Sequence, residues 1–348
     1  MTDKYRIAIV GAASLRGKEL NEVLTESSFA PSEFLLLDDR EALGQLESVG
    51  DEVTFIQPIG PSSFERVDFT FFAGQPEVTQ RHWQSALRAG ASIIDMTYVL
   101  EQEPGVLVRA PWINEERNDA PNSAPPDLHT PAIVPAHPGA LTLAVLLERL
   151  QSIGAVRNAS ATVLEPASEH GRGAMDELHQ QTVTLLSFQA VPKDVYDIQV
   201  AFNAVAATGE GAKINLAETE ARIRRHYALL SAGRLPEVSL QLIHVPVFHG
   251  HNFSIAIEFE QPVTLEHVEA SLSGNHVEVI LGDLDAPSNL TSAGQEDILV
   301  RARSGEEGSG PSRRFWLWAS TDNLKVAAFN AVECAHELRK LRPRGKVQ

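Results

Sequence analysis

The sequence holds one cysteine, Cys334, among 348 residues. A disulfide within one chain is therefore excluded, and any thiol chemistry has a single sulfur to draw on. No run approaches the ~20 apolar residues that a membrane-spanning helix needs. The opening residues, MTDKYRIAIVGAASLRG, lack the charged-then-apolar pattern of a secretory leader, and their short apolar run reads as a strand. No block of lysine and arginine occurs either. The formal net charge of −17 argues against nucleic acid and against an anionic membrane as partners. A cytoplasmic protein is expected on these grounds. What is present in quantity is apolar side chain, 43% of residues over a length sufficient for two domains, each with its own core.

Apolar periodicity divides the chain in two. Arg6 to Val10 is a short apolar run closed by Gly11, and residues 14–26 carry Leu15, Leu20, Val23 and Leu24 at helical spacing. Further runs at 34–37, 68–73 and 91–95, with a helical stretch over 78–89, give strands alternating with helices, the pattern of a parallel sheet. A cluster rich in proline and asparagine over 119–131 reads as a loop near a boundary, and 141–150 as a helix. Beyond residue 159 the pattern changes. Runs at 159–164, 239–247, 253–259, 278–281, 298–303 and 315–319 predict a mostly antiparallel sheet, with helices over 175–186, 215–230 and 326–338. The polar stretch 304–312 is a turn. The expected fold is α/β: a Rossmann-like nucleotide-binding domain over 1–135, rejoined by a C-terminal helix at 321–341, and an α+β domain with a largely antiparallel sheet over 136–320.

The turn Gly11-Ala-Ala-Ser-Leu-Arg-Gly17 has glycines at its two ends and Ser14 at the centre. Such turns bring backbone close to a pyrophosphate with helix amides facing its charge, so Gly11, Ser14, Leu15, Arg16 and Gly17 are candidate cofactor-binding residues. A plain strand–helix turn is the competing reading. The second strand ends in Asp38-Asp39-Arg40-Glu41. Carboxylates there accept from ribose hydroxyls and repel a 2′-phosphate, which favours NAD over NADP and makes Asp39 a candidate. A solvated acidic turn is the alternative.

Five segments in order, GAASLRGKEL, AGASIIDMT, DIQVAFNAVA, HVPVFHGHNFSIAIEF and STDNLKVAAFNAVECA, span nearly the whole chain and together resemble the aspartate-semialdehyde dehydrogenase family. The resemblance implies an NADP-type domain, a catalytic and dimerisation domain that makes a homodimer, and a final helix returning to the nucleotide side. It also implies the family reaction of amino-acid biosynthesis, the NADP-dependent interconversion of L-aspartyl 4-phosphate and L-aspartate 4-semialdehyde. That reaction uses a cysteine nucleophile whose thioester is resolved by phosphate.

Carried over residue by residue, the resemblance fails at the site. The nucleophile position falls on Pro138, and no cysteine, serine or threonine lies between Pro131 and Leu141. Proline offers neither a nucleophile nor an N–H. The active-site glutamine becomes Glu165, one substrate-binding arginine becomes Glu101 and another His244. Only the catalytic histidine, His251, keeps its type, and the nicotinamide-side segment with Asn323 looks intact. Lys213 and Glu218 are further substrate-binding candidates. Cations that would hold an anionic substrate in a fork geometry are thus missing. Cys334 sits in the apolar pattern of the last helix and reads as a buried structural thiol.

Matched positions also bring His137, Glu165, His244 and His251 toward one cleft, where they would be satisfied polar residues, an acid–base pair (His251 and Glu165), or ligands. The spacing His244-x4-His249-x-His251 is no standard metal signature, and a regular strand would put His244 on the face opposite His249 and His251; no metal is assigned. A relative with the family fold and an impaired family reaction is expected; the alternatives are a non-catalytic dimeric regulatory or binding homologue and an enzyme of different acid–base chemistry using His251 and Glu165, with the small-molecule ligand unknown in each case.

Overall fold

The computed structural model describes residues 4–39, 44–50, 52–60, 62–116, 125–206, 212–282, 285–308 and 310–342. The chain forms two compact units, one of residues 1–136 and 327–348 and the other of residues 137–326. Among the described residues no helix is long and apolar enough to cross a membrane.

The first unit begins with β1 (Arg6–Val10), α1 (Leu15–Glu26), β2 (Glu33–Asp38), a hairpin of β3 (Leu46–Val49) and β4 (Glu52–Phe55), and β5 (Gln57–Pro58). It continues through β6 (Phe69–Phe72), α2 (Pro76–Arg88), β7 (Ser92–Asp95), β8 (Leu107–Arg109), α3 (Pro111–Glu116) and β9 (Ile133–Pro135). Seven strands form one parallel sheet in the order β5-β2-β1-β6-β7-β9-β8. Strands such as Phe69–Phe72 are buried at every residue, as expected when both faces are covered. Of the loop read over 119–131, residues 119–124 lie outside the described set, and residues 125–131 hold no helix or strand.

The second unit contains α4 (Pro138–Gln151), β10 (Val156–Glu165), a short 3-10 helix at Ala167–His170, α5 (Arg172–Leu186), α6 (Leu216–Ser231), β11 (Val238–His244), β12 (His251–Val263) and α7 (Leu265–Leu272). Strands β13 (Val277–Val279), β14 (Ile298–Ser304) and β15 (Ser312–Thr321) complete it, and α8 (Asn323–Arg339) starts here and continues into the first unit. The six strands run in the order β11-β10-β12-β15-β14-β13. The three inner pairings are antiparallel, but both edge strands pair in parallel. The sheet is therefore mixed. Alternation in the sequence reports which face is buried, not the direction of the neighbour, so it is silent on that point.

Alternation does place the site. The buried stripe runs through Ala159, Ala161, Val163 and Glu165 on β10, Leu240, Leu242 and His244 on β11, and His251, Phe253, Ile255, Ile257 and Phe259 on β12, with Val156 and Asn252 buried as well. Each apolar stripe ends in a titratable side chain. Glu165 pairs with His244 across the β10–β11 ladder. Leu164 pairs with Asn252 across the β10–β12 ladder, so Glu165 lies one step beyond, opposite His251. Three polar groups thus end up adjacent on the buried face.

The glycine turn is set by close approach. Gly11 has φ +86°, and a Cβ there would lie 2.2 Å from the Gly74 Cα. Gly90 has a similar φ of +91° but open space around it. Both Ala variants incur a left-handed penalty of roughly 1–2 kcal/mol, and only Gly11→Ala adds an overpacking cost of about 1–3 kcal/mol. In urea denaturation Gly11→Ala should therefore lose clearly more stability than Gly90→Ala; equal losses would show that the contact with Gly74 relaxes freely.

Candidate functional site

The N-terminus of α4 is closed on itself. Pro138 occupies the first helical position, where its fixed φ suits a helix start and its missing N–H leaves no orphan. His137 is the cap, and its Nδ1 accepts from the Gly139 amide at 3.1 Å. The Ala140 and Leu141 amides both donate to the His137 carbonyl, at 2.9 and 3.0 Å. The His137 amide donates to Nδ1 of buried His226 at 2.9 Å. Helix N-termini ordinarily leave such amides for a ligand or a capping group; here each is taken within the protein. Because Nδ1 of His137 accepts, its proton sits on Nε2, 3.3 Å from Glu169 Oε1.

Glu165 is fully buried. Its Oε2 lies 2.7 Å from His170 Nε2 and 3.3 Å from His244 Nδ1. Burial pushes this carboxyl up, but the charge and hydrogen bond of His170 and the hydrogen bond of His244 prevail and bring it down to about 2. Glu165 Oε1 and His244 Nε2 are buried without a hydrogen-bond partner among the described residues. Tyr196 lies beside this group, its ring tilted 45° to that of His244 with the centroids 5.0 Å apart. Burial, then Glu165 and Glu177, raise its phenol above the ordinary range.

A second group adjoins the first. Asn323 Oδ1 accepts from Ser168 Oγ and from the Gly250 amide, both at 3.1 Å, and its Nδ2 donates to Glu169 Oε2 at 3.1 Å. Glu169 is thereby aimed between His137 and His251, whose rings are 5.7 Å apart. His251 Nε2 stands 3.8 Å from Glu169 Oε2, beyond hydrogen-bonding range. Burial outweighs the attraction of Glu169 and lowers His251 to about 4. The imidazole is a neutral ring at physiological pH, held by packing.

The regular-strand argument that separated His244 from His251 does not hold. The strand ends at His244 and a new one begins at His251 on the other side of β10, so both face inward. His249 lies in the connecting loop, partly exposed. Three participants were not singled out as site residues from the sequence: Glu169, His170 and His226. The run Glu165-Pro-Ala-Ser-Glu169-His170, three titratable residues directly after a buried strand, was the available signal.

Other candidates lie elsewhere. Lys213 is half exposed and binds the 194–197 loop through Asp194 O at 2.5 Å and Asp197 Oδ1 at 3.6 Å. Glu218 is exposed in the first turn of α6, where it pairs with Arg222 at 3.2 Å. Glu101 sits in the turn after β7, its amide bonded to the Tyr98 carbonyl at 3.2 Å.

In the first unit, Ser14 replaces the central glycine because it caps α1: its Oγ accepts from the Gly17 amide at 2.9 Å and donates to the Ala73 carbonyl at 2.8 Å. A Cβ on Gly17 would meet the Gly11 carbonyl oxygen at 2.2 Å. Asp38 turns inward and accepts from the Ala13 amide at 2.8 Å, while Asp39 remains exposed. Arg16 donates to the Met96 carbonyl at 3.2 Å and lies over the Tyr98 ring. Cys334 is buried in the core of this unit with Ile9, Leu24 and Phe71; burial first, then Glu337, pushes its thiol up.

Comparison with known proteins gives a consistent result. Residues 6–120 match the family model described as semialdehyde dehydrogenase, NAD binding domain, and residues 147–326 that described as semialdehyde dehydrogenase, dimerisation domain. An aspartate-semialdehyde dehydrogenase of Rickettsia bellii is 28% identical over 98% of this chain and 99% of that protein. A USG-1 protein homolog of Pseudomonas aeruginosa is 30% identical over 95% of this chain and 97% of its own length. A solved probable aspartate-semialdehyde dehydrogenase of Pseudomonas aeruginosa superimposes with a TM-score of 0.81 at 26% identity, covering 97% of this chain and 99% of that one.

The depressed His251 makes stability depend on pH. In the unfolded chain its imidazole takes up a proton near 6.5, in the native state only near 4. Between those values the unfolded state binds the extra proton, so stability falls as pH drops from 6.5 toward 4, by up to roughly 3 kcal/mol from this group. The stability gap between the wild type and His251→Asn, measured by urea denaturation, should shift against the wild type over that window. A gap independent of pH would show that His251 titrates normally.

Proposed function

The chain belongs to the semialdehyde dehydrogenase family, and from that premise we propose that it does not run the family's thiol-dependent reaction and serves instead as a dimeric, dinucleotide-type binding homologue. One observation carries the reading: the N-terminus of α4 offers neither a nucleophile nor an unclaimed amide. Pro138 stands at the nucleophile position implied by the resemblance, and His137 takes up the adjoining donors. Acyl transfer needs both an activated nucleophile and donors aimed at the developing oxyanion. Cys334, the one sulfur in the sequence, is sealed in the apolar core of the first unit with its thiol pushed up, the reverse of an activated thiolate.

The acid–base alternative finds little support. A carboxyl held near 2 and already bonded to two histidines is a poor base, and an imidazole near 4 without solvent exposure is a poor one too. The substrate of the cysteine enzymes carries phosphate. Here Glu165 and Glu169 line the region, and His244 stands where the resemblance implies an arginine, so an anion is disfavoured.

For the dinucleotide, the close glycine turn fits the group: Gly11 and Gly17 stand where any side chain would collide with backbone. Residues Gly11 to Gly17 at the start of α1 would hold the pyrophosphate, and Asp39 the adenine-side ribose. Bound there, the nicotinamide would supply hydride chemistry. The homodimer rests on the dimerisation-domain match.

Two outcomes test this. With aspartate semialdehyde, phosphate and NADP, reduced-cofactor absorbance should rise at least about four orders of magnitude more slowly than with a cysteine-bearing relative, and Pro138→Cys alone should not restore it. Turnover comparable to that relative would sink the proposal. In calorimetry NAD should bind more tightly than NADP, and Asp39→Ala should narrow the difference; tighter NADP binding would overturn the assignment of Asp39.

A further inference from the structure

Glu165, His170 and His244 form the one group of three or more His, Cys, Asp or Glu ligand atoms found close enough to hold a metal ion among the described residues. The three atoms lie within 4.8 Å of one another. We propose that this group is a site for a divalent transition-metal ion of the zinc or iron class. Two of its members, Glu165 and His244, stand where the resemblance implies the active-site glutamine and a substrate-binding arginine, but holding an ion requires neither a thiol nor a dinucleotide.

The donors are presented by rigid elements. Glu165 ends β10, and His244 ends β11 at the register position paired with it. His170 closes the 3-10 helix that begins two residues after Glu165. Strand ends and a short helix fix all three without a mobile loop, which is how preorganised ligands are built. The Ala167 and Ser168 amides donate to the Val247 and Phe248 carbonyls, both at 2.9 Å, tying the 3-10 helix to the segment after β11.

Two imidazoles and one carboxylate suit zinc, iron, nickel or copper. They do not suit calcium or magnesium, which take oxygen ligands. A zinc set of this composition leaves a fourth position open, and with iron the same set leaves several.

Polar atoms left over at the site point the same way. Glu165 Oε1, His244 Nε2 and the Tyr196 hydroxyl are buried with no hydrogen-bond partner among the described residues. Buried polar atoms are ordinarily paired, and three orphans around one carboxylate call for an explanation. A cation held here would offer the buried Glu165 carboxylate a partner beyond the two histidines that Oε2 already faces. Tyr196 is held in place from behind. Glu177, on α5, accepts from the Asp194, Val195 and Tyr196 amides at 2.7, 2.6 and 3.1 Å, fixing the backbone that carries the phenol. His170 is the partly exposed member, at 15% of its side chain, while Glu165 and His244 are closed. It gives an ion a way in.

The test uses the full-length chain, purified without a metal-affinity tag and stripped with chelator. Titrated with zinc, and in parallel with cobalt(II), it should bind one ion per chain, with cobalt developing the visible d–d absorption of a low-symmetry site. His170→Gln alters the most exposed ligand, and circular dichroism checks that it folds. It should weaken zinc binding by at least about 100-fold and abolish the cobalt band. His179→Gln, on the exposed face of α5, should leave both unchanged. No stoichiometric binding by the wild type would overturn the proposal, as would full binding by His170→Gln, which would place the ion elsewhere. None of these readouts depends on turnover or on dinucleotide, so failure here leaves the loss of thiol chemistry standing.

Discussion

A carboxylate with no access to water cannot be left alone, and Glu165 is such a carboxylate. It ends the buried stripe of β10 at zero exposure. An isolated ionised carboxyl in an apolar interior costs far more than a domain's net stability tolerates, so it must be paired or neutralised. The pairing is supplied by His244 from the adjacent strand and His170 from the following turn. Much of the local architecture can be read as the consequence. The abrupt 3-10 helix after β10 returns His170 to the carboxylate five residues downstream, and the break between β11 and β12 leaves His244 and His251 on either side of it.

The same logic explains why proline is tolerated at the start of α4. A helix terminus buried against polar neighbours must satisfy its amides. Proline removes one donor, His137 takes the next through its ring, and the His137 carbonyl takes two more. His137 is in turn oriented by His226 behind it and Glu169 before it. A catalytic terminus would hold donors in reserve for a developing charge. This one uses them on its own closure, which supports the proposed loss of the thiol reaction.

Much of this was legible in the sequence. The parallel sheet showed in the alternation of apolar runs and helical stretches, and the glycine turn showed in Gly11 and Gly17. The proposed loss of the nucleophile rests on the absence of cysteine, serine and threonine between Pro131 and Leu141. Less visible was the direction of the edge strands β11 and β13, because alternation records burial alone. Ser14 looked like a defect in a glycine motif; only the Gly17 and Ala73 contacts identify it as a helix cap. The acidic end of β2 showed in the sequence as Asp38 and Asp39, but not that Asp38 accepts from the Ala13 amide while Asp39 stays exposed. The convergence of His170 on Glu165 depends on a five-residue turn whose path no periodicity encodes.

The replacements that the resemblance implies in the second unit agree in sign, and that agreement supports the proposed change of function over simple decay. A site losing its reaction by drift would lose its cations and leave holes or unpaired amides. Here the position implied for a glutamine is a carboxylate, the position implied for an arginine is a histidine that bonds that carboxylate at 3.3 Å, and a second carboxylate, Glu169, is gripped by Asn323 at 3.1 Å. Each change makes sense only beside the others: Glu165 without His170 and His244 would be a bare buried charge, and His244 without Glu165 would be a buried imidazole with both nitrogens idle. Coupled replacements of this kind cost several kcal/mol when taken singly. Their joint presence supports the proposal that this polar cluster receives a cation.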